Sequence, residues 1–199
     1  MRHFALWAAV NTPAHLLIGA AAFGRMGGRK TLIAAMFGGL LPDLSLYLLA
    51  GTSLFLLNIP PQVVFDELYF SDAWQSVFAI DNSIPLWAVL LFLSIRWGRL
   101  WMQALCAAAL LHLGLDFALH HDDGRPHFWP LSNWVFESPV SYWDIRRGGA
   151  WIGPIEVMAC LVATLQILLV RPGWVLGGFT LALLAIEIRV VIGWFNFVA

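Results

Sequence analysis

Apolar residues run along this chain in long stretches separated by polar connections, most of them short. A helix that crosses a bilayer needs about 20 mainly apolar residues. Five stretches meet that requirement, roughly 31–57, 81–97, 99–120, 150–170 and 173–197. A sixth, roughly 3–24, contains Asn11-Thr12-Pro13, an N-cap followed by proline in the first helical turn. It is either a sixth span or a short helix from Pro13 to Phe23, with the residues before it at the interface. The expected fold is all-α: one domain over residues 1–199, a polytopic transmembrane bundle of about six membrane-embedded helices.

Charge divides the connections into two kinds. Segment 24–30 carries Arg25, Arg29 and Lys30, the turn at 96–99 carries Arg96 and Arg99, and the last turn carries Arg171. None of these three holds an acidic residue. Segment 58–80 carries Asp66, Glu67 and Asp72, and segment 121–149 carries Asp122, Asp123, Glu137 and Asp144 beside Arg125, Arg146 and Arg147. Basic turns stay cytoplasmic, so the two long connections are expected outside. Trp97, Trp101 and Trp174 flank the basic turns, while Trp74, Trp129, Trp134, Trp143 and Trp151 belong to the other side, as in interfacial belts. The long connections are aromatic enough to fold as short helices or turns over the bundle.

Composition agrees with this reading. Hydrophobic residues make up 60% of the 199, charged residues 12%, and mean hydropathy is +0.78. A soluble domain is about half apolar and about a quarter charged. A net charge of −1 offers nothing to nucleic acid. Cys106 and Cys160 sit in apolar runs and read as packing residues. The run from Phe4 to Val10 is broken by Asn11-Thr12-Pro13, so a cleaved signal peptide is not expected.

Ionisable residues inside spans are costly and so mark function by default. His112, Asp116 and His120 recur at i, i+4 and i+8, fanning over about 80° of one helix face. Imidazole nitrogen and carboxylate oxygen one turn apart can share a metal ion. The series runs on through His121, Asp122, Asp123 and His127. Its bland alternative is a hydrogen-bonded pair at a wet helix end. Asp43 follows Pro42 in Gly38-Gly39-Leu40-Leu41-Pro42-Asp43, where proline frees a carbonyl and the glycines admit a neighbouring backbone. A carboxylate there needs a cation, a proton or a donor. His15 lies one to two turns into its helix, at a depth that suits Asp43, and alone reads equally as a satisfied core residue. Glu156 and Glu187 read as structural pairing. Glu187 and Arg189 are two residues apart and do not share a helix face. Asp81-Asn82-Ser83 reads as the N-cap of a span. No phosphate loop, nucleophile elbow or H-E-x-x-H occurs.

Pro13-Ala14-His15-Leu16-Leu17, Gly39-Leu40-Leu41-Pro42-Asp43, His112-x-x-x-Asp116 and Phe128-Trp129-Pro130 occur in that order. Together they resemble the bacterial membrane-bound metal-dependent hydrolases of the LexA-regulated type, held to be distantly related to zinc-dependent phospholipases C. The resemblance covers roughly residues 11–130. It implies a divalent metal site on His15, Asp43, His112 and Asp116, with zinc the first choice and manganese the second. The family's middle helix opens with H-R-x-x-x-H-S, whereas here the region reads Phe78-Ala79-Ile80-Asp81-Asn82-Ser83-Ile84 and lacks both histidines. Two readings follow: His120, His121 and His127 replace the lost ligands, or the site holds no metal. The chain also resembles small alphaproteobacterial proteins labelled as cobalamin biosynthesis proteins, a chemistry that no residue here supports.

The resulting expectation is a metal-dependent hydrolase of the bacterial inner membrane, acting on a lipid or lipid-linked phosphoester near the outer leaflet. Its metal ligands would be His15, Asp43, His112, Asp116, His120 and His121. Asp43 would serve metal and reaction alike, and Asp123 would be the base. The rival is a non-catalytic subunit, assembly factor or scaffold, docking through the Trp-rich outer loops to a partner membrane protein or a second copy. A transporter would call for paired half-helices in repeated halves, and no such repeat is present.

Overall fold

The computed structural model describes residues 11–142 and 144–198. Trp143, one of the expected belt residues, and residues 3–10 of the expected first span lie outside the described residues. Among the described residues the chain is helical, with no strand.

Five helical stretches are long and apolar enough to cross a membrane: Gly28–Leu56, Asp72–Arg96, Leu100–Leu119, Gly149–Leu169 and Trp174–Asn196. The first element, α1 (Thr12–Gly24), is a shorter apolar helix. At 1.5 Å per residue it is about 20 Å long, less than the roughly 30 Å hydrocarbon core. Its described part matches the short helix expected from Pro13 to Phe23. Pro13 occupies its first turn, where a missing N–H costs nothing.

The long elements are α2 (Gly28–Gly51, running on through a π turn at Thr52–Leu56), α3 (Asp72–Asp81), α4 (Ile84–Arg96), α5 (Leu100–Leu119), α6 (Gly149–Leu169) and α7 (Trp174–Val198). α3 and α4 form one stretch interrupted at Asn82 and Ser83. Ser83 Oγ accepts from Leu86 N at 3.2 Å, the cap expected of Asp81-Asn82-Ser83. Asn82 Nδ2 donates to the Pro42 carbonyl at 3.0 Å, which joins this break to the proline turn of α2.

α1 lies at the centre, packed against α2, α5, α6 and α7. Its residues are buried almost all round, as expected of a helix that is apolar on every face. Its Leu17 packs in one cluster with Leu32, Cys160, Ile167 and Leu183. Small residues bring the backbones together. A Cβ on Gly38 would stand 2.0 Å from the Leu105 carbonyl oxygen, and one on Gly39 would stand 2.6 Å from that of His15. Only glycine permits α2 to touch α1 and α5 at once.

The two kinds of connection collect at opposite ends. Arg25, Arg29 and Arg171 line one cavity of about 410 Å³, and Lys30 Nζ lies 4.9 Å from the Trp101 ring. At the other end the long connections knit together. Ile84 N donates to the His127 carbonyl at 2.8 Å, Tyr142 N to that of Leu119 at 3.0 Å, and Ser83 Oγ to that of Trp129. Residues 58–80 form short helical turns and α3, whose Trp74 and Phe78 pack on Leu46 and Val64. Phe128, Trp134 and Phe136 of the second long connection form an aromatic cluster with Phe117 of α5. Both were expected to be structured, and both are.

Candidate metal centre

Three helices deliver the site. α1 contributes His15 from its first turns, α2 contributes Asp43 just past Pro42, and α5 contributes His112 and Asp116 one turn apart. All four are buried. The Gly38–Gly39 approach described above is what closes the gap between these helices. It also supplies a fixed acceptor, because His112 Nδ1 lies 2.7 Å from the Gly39 carbonyl. A carbonyl can only accept, so Nδ1 carries a proton and Nε2 is the nitrogen turned to the site.

That nitrogen faces oxygen on two sides. His112 Nε2 is 3.0 Å from Asp116 Oδ2 and 3.7 Å from Asp43 Oδ1. His15 Nε2 is 3.2 Å from Asp116 Oδ1, and the two imidazoles stack at 3.8 Å with planes 15° apart. Asp43 Oδ2 accepts from Thr12 Oγ1, which accepts in turn from Tyr47 OH at 3.0 Å. A lone pair so close to a carboxylate is tolerable only with a cation between them, either a proton or a metal ion. Co-facial rings disfavour a proton on each, since two like charges would then lie face to face.

The donor set fits a metal. One ligand atom each from His15, His112 and Asp116 can be chosen so that all lie within 4.8 Å of one another. Imidazole nitrogen with carboxylate oxygen suits zinc, and manganese less closely. Asp116 Oδ1 is buried and makes no hydrogen bond, although two histidine nitrogens approach it. His15 Nδ1 is likewise unpartnered. A bound cation would satisfy the orphaned Asp116 Oδ1.

A cavity of about 20 Å³ opens beside the cluster, lined among others by Asn11, His15, Asp43, Asp116, His120, Asp123, Arg125 and His127. It has room for one water or ion. His120 Nε2 reaches Asp116 Oδ1 at 3.4 Å, and His120 Nδ1 donates to Asp123 Oδ1 at 2.8 Å. Burial works against charge on His120, but the Asp116 and Asp123 carboxylates outweigh it and hold the ring well above the usual imidazole range. Burial likewise pushes Asp123 up, and the facing His120 brings it below the ordinary carboxylate range. His127, by contrast, is lowered by burial. Its Nδ1 donates to the Arg125 carbonyl at 2.8 Å and its Nε2 has no partner.

The expected site residues do not all converge. His15, Asp43, Asp116, His120 and Asp123 line the cavity, and His112 lies behind them against Asp116 and Asp43. His121 instead lies against the second long connection, with Nδ1 2.7 Å from the Ser138 carbonyl and Nε2 3.3 Å from Asp122. The cause is local. α5 ends at Leu119, and His120 is extended at φ −109° and ψ 139°, so its neighbour points the other way. His127 takes the place on the cavity wall that the run of histidines suggested for His121.

Sequence reasoning passed over Thr12, Tyr47, Tyr69 and the side chain of Arg125. A hydroxyl one turn from His15 and a cation two residues from Asp123 were the available signals. Glu156 and Glu187 form a separate buried pair. Asn11 Nδ2 donates to Glu156 Oε2 at 2.6 Å, and Glu187, 0% exposed, faces Glu156. Arg189 is exposed and belongs to another face. No family model, curated protein or solved structure matches this chain, so the assignment of a candidate metal centre rests on the geometry of its own residues.

Proposed function

We propose that the chain is a metal-dependent membrane hydrolase that cleaves a lipid or lipid-linked phosphoester. The observation that carries this reading is the buried array of His15, His112 and Asp116, with Asp43 beside it and a small polar cavity in front. The order of the sequence motifs, which resembles the membrane-bound metal-dependent hydrolases, supports the same reading. A bound zinc or manganese ion would supply Lewis acidity toward a phosphoryl oxygen and acidity to a water molecule.

The residues divide the remaining work. His15, His112 and Asp116 hold the ion, and Asp43, fixed by Thr12 and Tyr47, completes the set. The Gly39 carbonyl keeps His112 in the ligating tautomer. Asp123, positioned by His120, takes the proton from water as its oxygen bonds to phosphorus. The ester P–O bond breaks, and that proton passes to the departing alkoxide oxygen. Lipid is the natural substrate class because the cavity lies at the ends of apolar helices, opposite the basic turns.

The gathering of the basic turns at the opposite end supports an orientation with those turns cytoplasmic and the site toward the outer leaflet of a bacterial inner membrane. Activity is tested on the full chain in liposomes containing phosphatidic acid and, separately, a phosphodiester lipid, with zinc or manganese supplied. Metal-dependent release of phosphate or headgroup is expected, lost with a chelator and reduced at least about 100-fold in Asp123→Asn. Turnover that survives chelation would refute the reading.

A further inference from the structure

Arg125 is a cation held in an unusual way. Its guanidinium carbon lies 4.3 Å from the centre of the Phe78 ring and 5.7 Å from that of Tyr69. Nη2 makes one long contact, 3.4 Å to Tyr69 OH. Nη1 is buried and has no partner at all. Among the described residues Arg125 forms no salt bridge, although it shares its cavity with Asp43, Asp116 and Asp123. Burial disfavours its charge, and the surrounding Tyr69 and carboxylates more than offset that.

A buried guanidinium whose donors are unsatisfied is costly unless something else completes it. Aromatic faces can hold the flat side of the group, but they leave its N–H edge open. That edge is a planar fork matched to the oxygens of a phosphate. Three carboxylates in one cavity would repel an anion. A divalent ion on Asp43 and Asp116 would remove that obstacle. Arg125 is then the remaining cation with a donor to offer.

We propose that Arg125 is the phosphate-recognition residue of this site, donating from its guanidinium edge to a phosphate oxygen that enters the cavity beside the metal ligands. The inference rests on the metal-dependent reading above and names the residue that selects its substrate. Phe78 and Tyr69 fix the guanidinium plane, and Tyr69 also lines the cavity. The phosphate is either a lipid headgroup or free inorganic phosphate; Arg125 would serve both in the same way.

The test uses the full chain in phosphatidylcholine nanodiscs, with zinc added and its content measured on the same sample. Inorganic phosphate is titrated in one arm. In the other, phosphatidic acid replaces part of the lipid. The readout is the shift of the thermal unfolding midpoint, which rises with occupancy of the native state. A shift in the first arm identifies a site open to free phosphate, and a shift confined to the second identifies a headgroup site; either supports the proposal. In Arg125→Met the apparent affinity falls roughly 10- to 100-fold while zinc content is unchanged. Arg125→Lys, which keeps the charge and loses the fork, falls between the two. A zinc-loaded wild-type protein that responds in neither arm overturns the proposal and leaves the metal reading intact. So does a response that Arg125→Met leaves unaltered. An Arg125-dependent response without zinc supports the proposal and rejects the metal.

Discussion

The ring of His112 on α5 donates through Nδ1–H to the Gly39 carbonyl on α2 across 2.7 Å. One contact thereby sets the tautomer of a candidate ligand and ties together the two helices that carry it. The same glycine has no room for a side chain, because a Cβ would meet the His15 carbonyl oxygen at 2.6 Å and its carbon at 2.8 Å. Packing and chemistry therefore share a single position.

Gly39→Ala is accordingly expected to push α1 from α2 and to cost about 1–3 kcal/mol of stability through overpacking. Metal content should fall with it. Gly51→Ala, where a Cβ meets nothing within 4 Å, is the control and should be neutral or slightly stabilising. Thermal unfolding of both variants in the same detergent checks this, and equal midpoints would show that the close approach is not needed.

Ser83 does two jobs at the break between α3 and α4, accepting from Leu86 N and donating to the Trp129 carbonyl. Ser83→Ala should cost about 1 kcal/mol from the lost cap. It should also loosen the second long connection, which would be cleaved faster by protease near residues 121–141. Proteolysis at the wild-type rate would mean that the Ile84–His127 backbone bond holds this connection without help.

The Glu156–Glu187 pair lets two substitutions be opposed. Asn11→Ala removes the one donor to Glu156 and should destabilise by about 1–3 kcal/mol. Glu187→Gln removes one of two facing buried carboxyls and should stabilise by about 1–3 kcal/mol. Unfolding midpoints decide the matter. A loss in Glu187→Gln equal to that in Asn11→Ala would assign Glu187 a structural partner.

Much of this arrangement was legible before any coordinates. Span-length apolar runs located the five long helices, and Asn11-Thr12-Pro13 marked the start of the short one. His15, Asp43, His112 and Asp116 stood out because ionisable groups are expensive in apolar helices, and the structure brings all four together. The division of His121 from His127 was not legible, since it depends on the residue at which α5 stops and the chain turns extended. Asn82 and Ser83 were visible as a cap, but the bond from Asn82 to the Pro42 carbonyl depends on the packing of α3 and α4 on α2. Arg125 was hidden for a similar reason: only the docking of Tyr69 and Phe78 from a distant segment turns a loop arginine into a cavity wall.

The central claim is that His15, His112 and Asp116 hold a divalent ion. Elemental mass spectrometry of the purified, folded full chain tests it most directly, on wild type and on Asp116→Asn, after incubation with zinc and removal of excess. The account predicts a stoichiometric ion in the wild type, with affinity reduced by more than about 100-fold in Asp116→Asn. A folded wild-type protein that retains no zinc or manganese would contradict it.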